Sequence, residues 1–142
     1  MTELGVREIK ALEGAKESNE HWFSILIDAA SIMSERRKKY SGETDPYTNF
    51  IIMARALGTR VTGVFNFYKI IKLARSLVDS GDFADESMID TDLDEGNYAY
   101  LSAGWRKRDP RSRLAAMLEV GNWVEVETLE DLGIDLEAVL DG

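Results

Sequence analysis

From Gly63 to Ser80, the residues Val64, Phe67, Tyr68, Ile71, Ala74, Leu77 and Val78 recur at the 3.6-residue period of an α-helix, so this stretch carries an apolar stripe along a helix face. The same period appears upstream. Ser18 followed by Trp22, Ile25, Leu26, Ala29, Ile32 and Met33 predicts an amphipathic helix capped by Ser18 and running to about Lys39. Its basic end, Arg36-Arg37-Lys38-Lys39, suits a C-terminus, where cations meet unpaired carbonyls and the negative end of the macrodipole. Tyr40 to Tyr47 contains Gly42 and Asp45-Pro46, the composition of a turn, and Thr48 to Leu57 predicts a short helix ended by Gly58. Thr62 is the expected cap of the helix from Gly63, and Gly81 closes it.

Asp85 to Ser87 supply caps for a further helix reaching Trp105, with Ser87-x-x-Asp90 in the form of a capping box. Gly96 inside that helix costs about 1 kcal/mol relative to Ala, which close approach by a neighbour or ligand would offset. Beyond Trp105, Arg106 to Arg113 reads RKRDPRSR, an exposed basic connection broken by Pro110, with a short helix over Arg111 to Leu118. Gly121-Asn122 turns into Trp123-Val-Glu-Val-Glu, whose alternation is the one good strand signal; Asp135 to Leu140 suit a helical turn.

The expected fold is therefore all-α: four to six helices over residues 1–118, with the Gly63 to Ser80 and Asp85 to Trp105 helices as an antiparallel pair. An irregular acidic extension, 119–142, carries the candidate strand and helical turn. At 142 residues and 44% apolar content the chain supports one core. Trp22, Phe23, Trp105 and Trp123 exceed what such a core needs, which predicts a homo-oligomer.

Several chemistries are excluded. Cys is absent, so there is no disulfide framework, thiolate metal site or thiolate nucleophile, and the lone His21 rules out a multi-histidine zinc site. His21, in a charged stretch at a helix start, reads as a surface residue. No GxxxxGK[ST] loop or GxGxxG turn occurs. No apolar run approaches the ~18 residues of a membrane span, and Met1 to Glu20 is charged throughout, unlike a signal peptide. A cytoplasmic protein without a membrane partner is expected. The net charge of −9 is uneven: residues 114–142 hold eight acids and no base, leaving a nearly neutral middle. Acidic ends and no coherent basic face argue against duplex nucleic acid, while a phosphorylated small molecule in a local basic pocket remains compatible.

The candidate site lies in DESMIDTDLDEGNYAYL, Asp85 to Leu101, where helical spacing gathers Asp90, Asp94, Asn97 and Tyr98 into one stripe. Lys69, Lys72 and Arg75, three apart on the preceding helix, are candidates to meet those carboxylates. Either the bases neutralise the acids or both hold a ligand. Asp90 and Asp94 could share Mg²⁺ in a pyrophosphohydrolase, but all-α enzymes of that kind face a Glu-x-x-Glu toward a Glu-x-x-Asp, and cations here would repel the metal. Outside that alternative no metal or other cofactor is implied. An acidic tail acting on a basic partner is a third possibility.

Tyr40, Gly42, Asp45-Pro46, Asn49 and Ala54, then Lys69, Lys72-x-Ala74-Arg75, Asp85-Glu86-Ser87, Asp90-Thr91, Asp94 and Asn97-Tyr98-Ala99 resemble the nucleotide modification associated domain 1 family. These are small, mainly helical proteins common in bacteriophages and their hosts. The resemblance spans roughly Ser34 to Leu101 and implies an association with nucleotide metabolism or base modification. It implies a phage-type protein binding a nucleotide or nucleotide-derived molecule, such as a cyclic-nucleotide or ADP-ribose-type signal to be sequestered. If the matching positions form one pocket, Asn49 and Asn97 would read a base edge, Tyr40, Tyr47 or Tyr98 would stack on it, and Lys69, Lys72 and Arg75 would meet phosphate. Asp90 and Asp94 would then orient the bases.

Overall fold

The computed structural model describes residues 3–41, 44–78, 86–135 and 137. The helices are α1 (Val6–Ser18), α2 (Glu20–Arg36), α3 (Thr48–Leu57), α4 (Val61–Val78), α5 (Glu86–Lys107), α6 (Pro110–Val120) and α7 (Val126–Asp131), with a π-helical turn, Arg37–Ser41, after α2. The all-α class is as expected, and no strand occurs among the described residues. No helix among them is long and apolar enough to cross a membrane.

Among the described residues, α1 to α6 meet the expected four to six helices of the domain and α7 adds one in the extension; two of these seven had no helix expected from the sequence. The first, α1, buries no residue; Glu8 in its first turn and Lys16 in its last complement the helix dipole. The second, α7, replaces the expected strand. In Trp123-Val-Glu-Val-Glu the alternation does not mark one face of a sheet: Trp123 and Val124 pack on the core, while Glu125 is buried by hydrogen bonds. Residues 121–131 are thus built into the domain. The helical turn proposed for Asp135 to Leu140 lies largely outside the described residues.

Local signals placed several boundaries. Gly58 adopts φ +65°, the left-handed conformation that ends α3 at little steric cost, and its amide donates back into the last turn. The cap of α2 is Asn19 rather than Ser18: Asn19 Oδ1 accepts the Trp22 N–H at 2.8 Å, while Ser18 Oγ donates to the Gly14 carbonyl. Thr62 does not cap α4, since it lies buried inside the helix, which starts at Val61. Its cap comes from across the chain, with Glu125 Oε2 accepting the Val61 N–H at 2.9 Å. The side chains of Asp85, Glu86 and Ser87, expected to cap α5, lie outside the described residues, as does Gly81.

The core sits between α3, α4, α5 and α6. Ile51, Ala54, Val61, Val64, Phe65, Trp105, Ala116 and Met117 form it, flanked by Tyr47, Phe50, Tyr68, Tyr98, Leu101 and Trp123. Tyr47 meets Phe65 edge-on and Trp105 at a tilt, and its hydroxyl donates to the Leu101 carbonyl at 2.8 Å. Two of the four aromatics expected to be surplus are therefore occupied here: Trp105 is fully buried and Trp123 packs against the cluster. Trp22 remains exposed. The helices α4 and α5 run antiparallel, since Tyr68 meets Tyr98 and Lys72 meets Asp94, four residues later on one helix and four earlier on the other.

Candidate functional site

Asp94 stands where three helices meet. Its Oδ1 accepts Arg36 Nη2 of α2 at 2.7 Å, and its Oδ2 lies 2.9 Å from Lys72 Nζ of α4. A single carboxylate thus ties two bases from different helices. One turn along α5, Tyr98 stacks on Tyr68, with ring centroids 5.0 Å apart and planes 17° from parallel. Burial pushes the Tyr98 hydroxyl pKa up, with Asp94 and Tyr68 adding to the rise and the Arg36 and Lys72 charges opposing it.

On the α2 side of the same stripe, Asn97 Nδ2 donates to the Ala29 carbonyl at 3.3 Å, while its Oδ1 is buried without a hydrogen-bond partner. A buried acceptor left unpaired costs about 1–3 kcal/mol. Exposure grades across the group: the Asp94 side chain is 14% exposed and that of Arg36 44%. The open edge of this group is therefore basic.

The helical spacing thus brings together Lys72, Asp94, Asn97 and Tyr98. It does not bring every candidate in. Asp90 lies exposed on α5, a turn beyond Asp94. Lys69 is half-buried and Arg75 exposed on α4, and Asn49 is exposed on α3, a helix that packs on α4 and α6. The Tyr40 side chain lies outside the described residues. Tyr47 packs the core and is no stacking platform. No neighbour closes on Gly96, where an added Cβ would meet only Tyr100 of the same helix, at 4.0 Å; the close approach is at Gly104, under the Tyr47 hydroxyl.

Arg36 was hidden inside a run of four bases that macrodipole matching already explained. A second, partly buried ionic group was equally hidden. Asp45 accepts both guanidinium ends of Arg108 and the Tyr47 N–H, and Arg108 lies over the Tyr47 and Trp105 rings while its Nε donates to Ser112. Burial alone would raise the Asp45 pKa; the hydrogen bonds from Arg108 and Tyr47, with the charges of Arg108 and Arg37, outweigh it and hold the carboxyl below its ordinary value. This group clamps the chain entering α3 to the end of α5. Its bidentate geometry leaves Asp45 little capacity for a ligand.

Two clefts, of about 500 and 480 Å³, open elsewhere. The first lies between the Gly58 to Arg60 turn and Trp123 to Glu130; the second lies between Thr48, Ile52 and Arg55 of α3 and Glu119 of α6. Neither is lined by Arg36, Lys72 or Asp94. No family model matches the chain, and neither curated proteins nor solved structures show a match.

Proposed function

We propose that this protein binds a nucleotide or nucleotide-derived small molecule at the junction of α2, α4 and α5, without breaking a bond in it. The observation that carries this is the pairing of Arg36 and Lys72 on Asp94, with the unpartnered Asn97 Oδ1 one turn away. A guanidinium has five N–H donors. Arg36 gives one to Asp94 and keeps an exposed edge, so phosphate oxygens can reach a cation already held in place. Tyr98 and Tyr68 offer aromatic surface beside it. The choice of a nucleotide over another phosphorylated molecule rests on the resemblance of residues 34–101.

The two other readings have weaker support. A Mg²⁺-dependent pyrophosphohydrolase needs carboxylates free to coordinate, whereas both Asp94 oxygens face cations. An acidic tail acting on a partner is weakened because Glu125 is buried, Glu127 lies near Arg60 and Arg106, and Asp131 pairs with Arg113. Binding alone suffices for sequestering a cyclic-nucleotide or ADP-ribose-type signal in a phage-infected cell.

Calorimetry at ~100 µM protein tests the reading, with AMP, ADP, a cyclic dinucleotide and ADP-ribose as ligands and adenosine as the phosphate-free control. Saturable heat with at least one phosphorylated ligand, weakened about tenfold in Arg36→Ala, is expected. No heat with any of them sinks it.

A further inference from the structure

Beyond the core residues Val61, Val64 and Phe65, the apolar residues of α4 face away from the protein, and Lys69, Lys72 and Arg75 lie on the other side of the helix. At 100° per residue, Lys69, Lys72 and Arg75 centre about 180° from the line through Phe67, Ile70, Ala74 and Leu77. Lys72 is spent on Asp94 of α5. On the far side Phe67, Ile70, Ile71, Leu73 and Leu77 are all exposed, from 45% at Ile71 to 79% at Leu77. No charged residue interrupts them; Asn66 and Ala74 are the neighbours on that face. A surface helix turns polar residues outward, whereas α4 is apolar on its outer side as well as on the side that packs in the core, the pattern of a helix buried inside an assembly.

We infer that this face of α4 is the contact between two copies of the chain, paired across a two-fold axis near Ile70. Three observations choose a second copy over another partner. The face is uncharged in a chain of net charge −9, so it is where two such chains approach with least repulsion. A charged partner finds nothing on it to pair with, whereas a two-fold axis sets the same apolar stripe against itself. The area is also adequate. At the exposures given, the five side chains present roughly 500 Å² per copy, or about 1,000 Å² across the pair, the lower bound of a specific interface.

The pairing leaves the Arg36–Asp94–Lys72 group on the other side of α4, so it stands apart from the proposed ligand site. Because the chain has no Cys, Ile70→Cys places a single thiol at the expected axis. Under mild oxidation this variant is expected to form a disulfide-linked dimer within minutes, and Arg111→Cys, at an exposed position of α6, is not. Sedimentation of the full chain at ~50 µM is expected to give a dimer, and Ile70→Lys a monomer with unchanged helical circular dichroism. A monomeric parent chain overturns the inference and assigns the face to a different protein. An oligomer that survives Ile70→Lys, or an Ile70→Cys variant that crosslinks no faster than Arg111→Cys, overturns it too.

Discussion

Glu125 accepts the backbone N–H of Val61 at 2.9 Å and so closes the N-terminus of α4 from 64 residues further along the chain. Its second oxygen accepts the Trp105 indole N–H at 3.1 Å and the Thr128 hydroxyl at 2.8 Å. One buried carboxylate thus joins the starts of α4 and α7 to the core tryptophan of α5. A negative group at a helix N-terminus is favoured by the macrodipole and by the unpaired amides there.

Glu125→Ala strands three buried donors at once and is expected to cost about 3 kcal/mol, since each unpaired group costs about 1–3 kcal/mol and part is relieved by water entering. Thr128→Val removes one donor and one bond and should cost about 1 kcal/mol. Urea unfolding followed by tryptophan fluorescence measures both. A Glu125→Ala variant within 0.5 kcal/mol of the parent would mean that Glu125 only decorates a core formed without it.

Asp94→Asn leaves Arg36 and Lys72 facing each other without their shared anion. The site is partly open, so the cost lies between that of a surface pair and a buried one, about 1–2 kcal/mol. Asp90→Asn, on the exposed turn beyond, should cost less than 0.5 kcal/mol. Equal effects in urea unfolding would contradict the assignment of the orienting role to Asp94 alone.

These two acids show how far the sequence can be read. Asp94, Asn97 and Tyr98 fall one turn apart, and Lys72 follows Tyr68 by four residues, so helical spacing alone grouped them correctly. Asp90 falls on the same stripe yet lies exposed, and no local pattern separates it from Asp94. The same limit explains Arg36, Arg108 and Glu125. Each pairs with a residue 58 or more positions away, or across several elements, and each stood in a segment that a simpler local reading accounted for. Gly58, by contrast, acts on its own helix and was legible at once.

Acid should weaken the clamp between α3 and α5. The Asp45 carboxyl is held below its ordinary value of 3.8, so the folded state binds fewer protons there than the unfolded chain. Its contribution to stability is complete above the unfolded value and is lost as the pH falls through the depressed folded one. In Asp45→Asn that contribution is absent at every pH. The stability difference between parent and variant should thus be constant above about pH 5 and shrink below about pH 4. Urea midpoints between about pH 2 and pH 6 would show this, and a difference that does not change with pH would refute it.

Two glycines of α5 should respond to alanine with opposite signs. Replacing Gly by Ala inside a helix ordinarily stabilises it by about 1 kcal/mol, because the unfolded chain loses freedom. At Gly96 an added Cβ finds its nearest neighbour 4.0 Å away, so Gly96→Ala should gain about 0.5–1 kcal/mol. At Gly104 the Cβ would stand 2.6 Å from the Tyr47 hydroxyl, which is itself held at 2.8 Å by the Leu101 carbonyl. The ring cannot withdraw without losing that bond and its contacts with Phe65 and Trp105. Gly104→Ala should therefore destabilise by about 1–2 kcal/mol despite its better helix propensity. Tyr47→Phe removes the obstructing oxygen, so adding Gly104→Ala to it should cost clearly less than adding it to the parent. A double-mutant cycle in urea with no coupling between the two positions would show that α5 tolerates the methyl by some other shift.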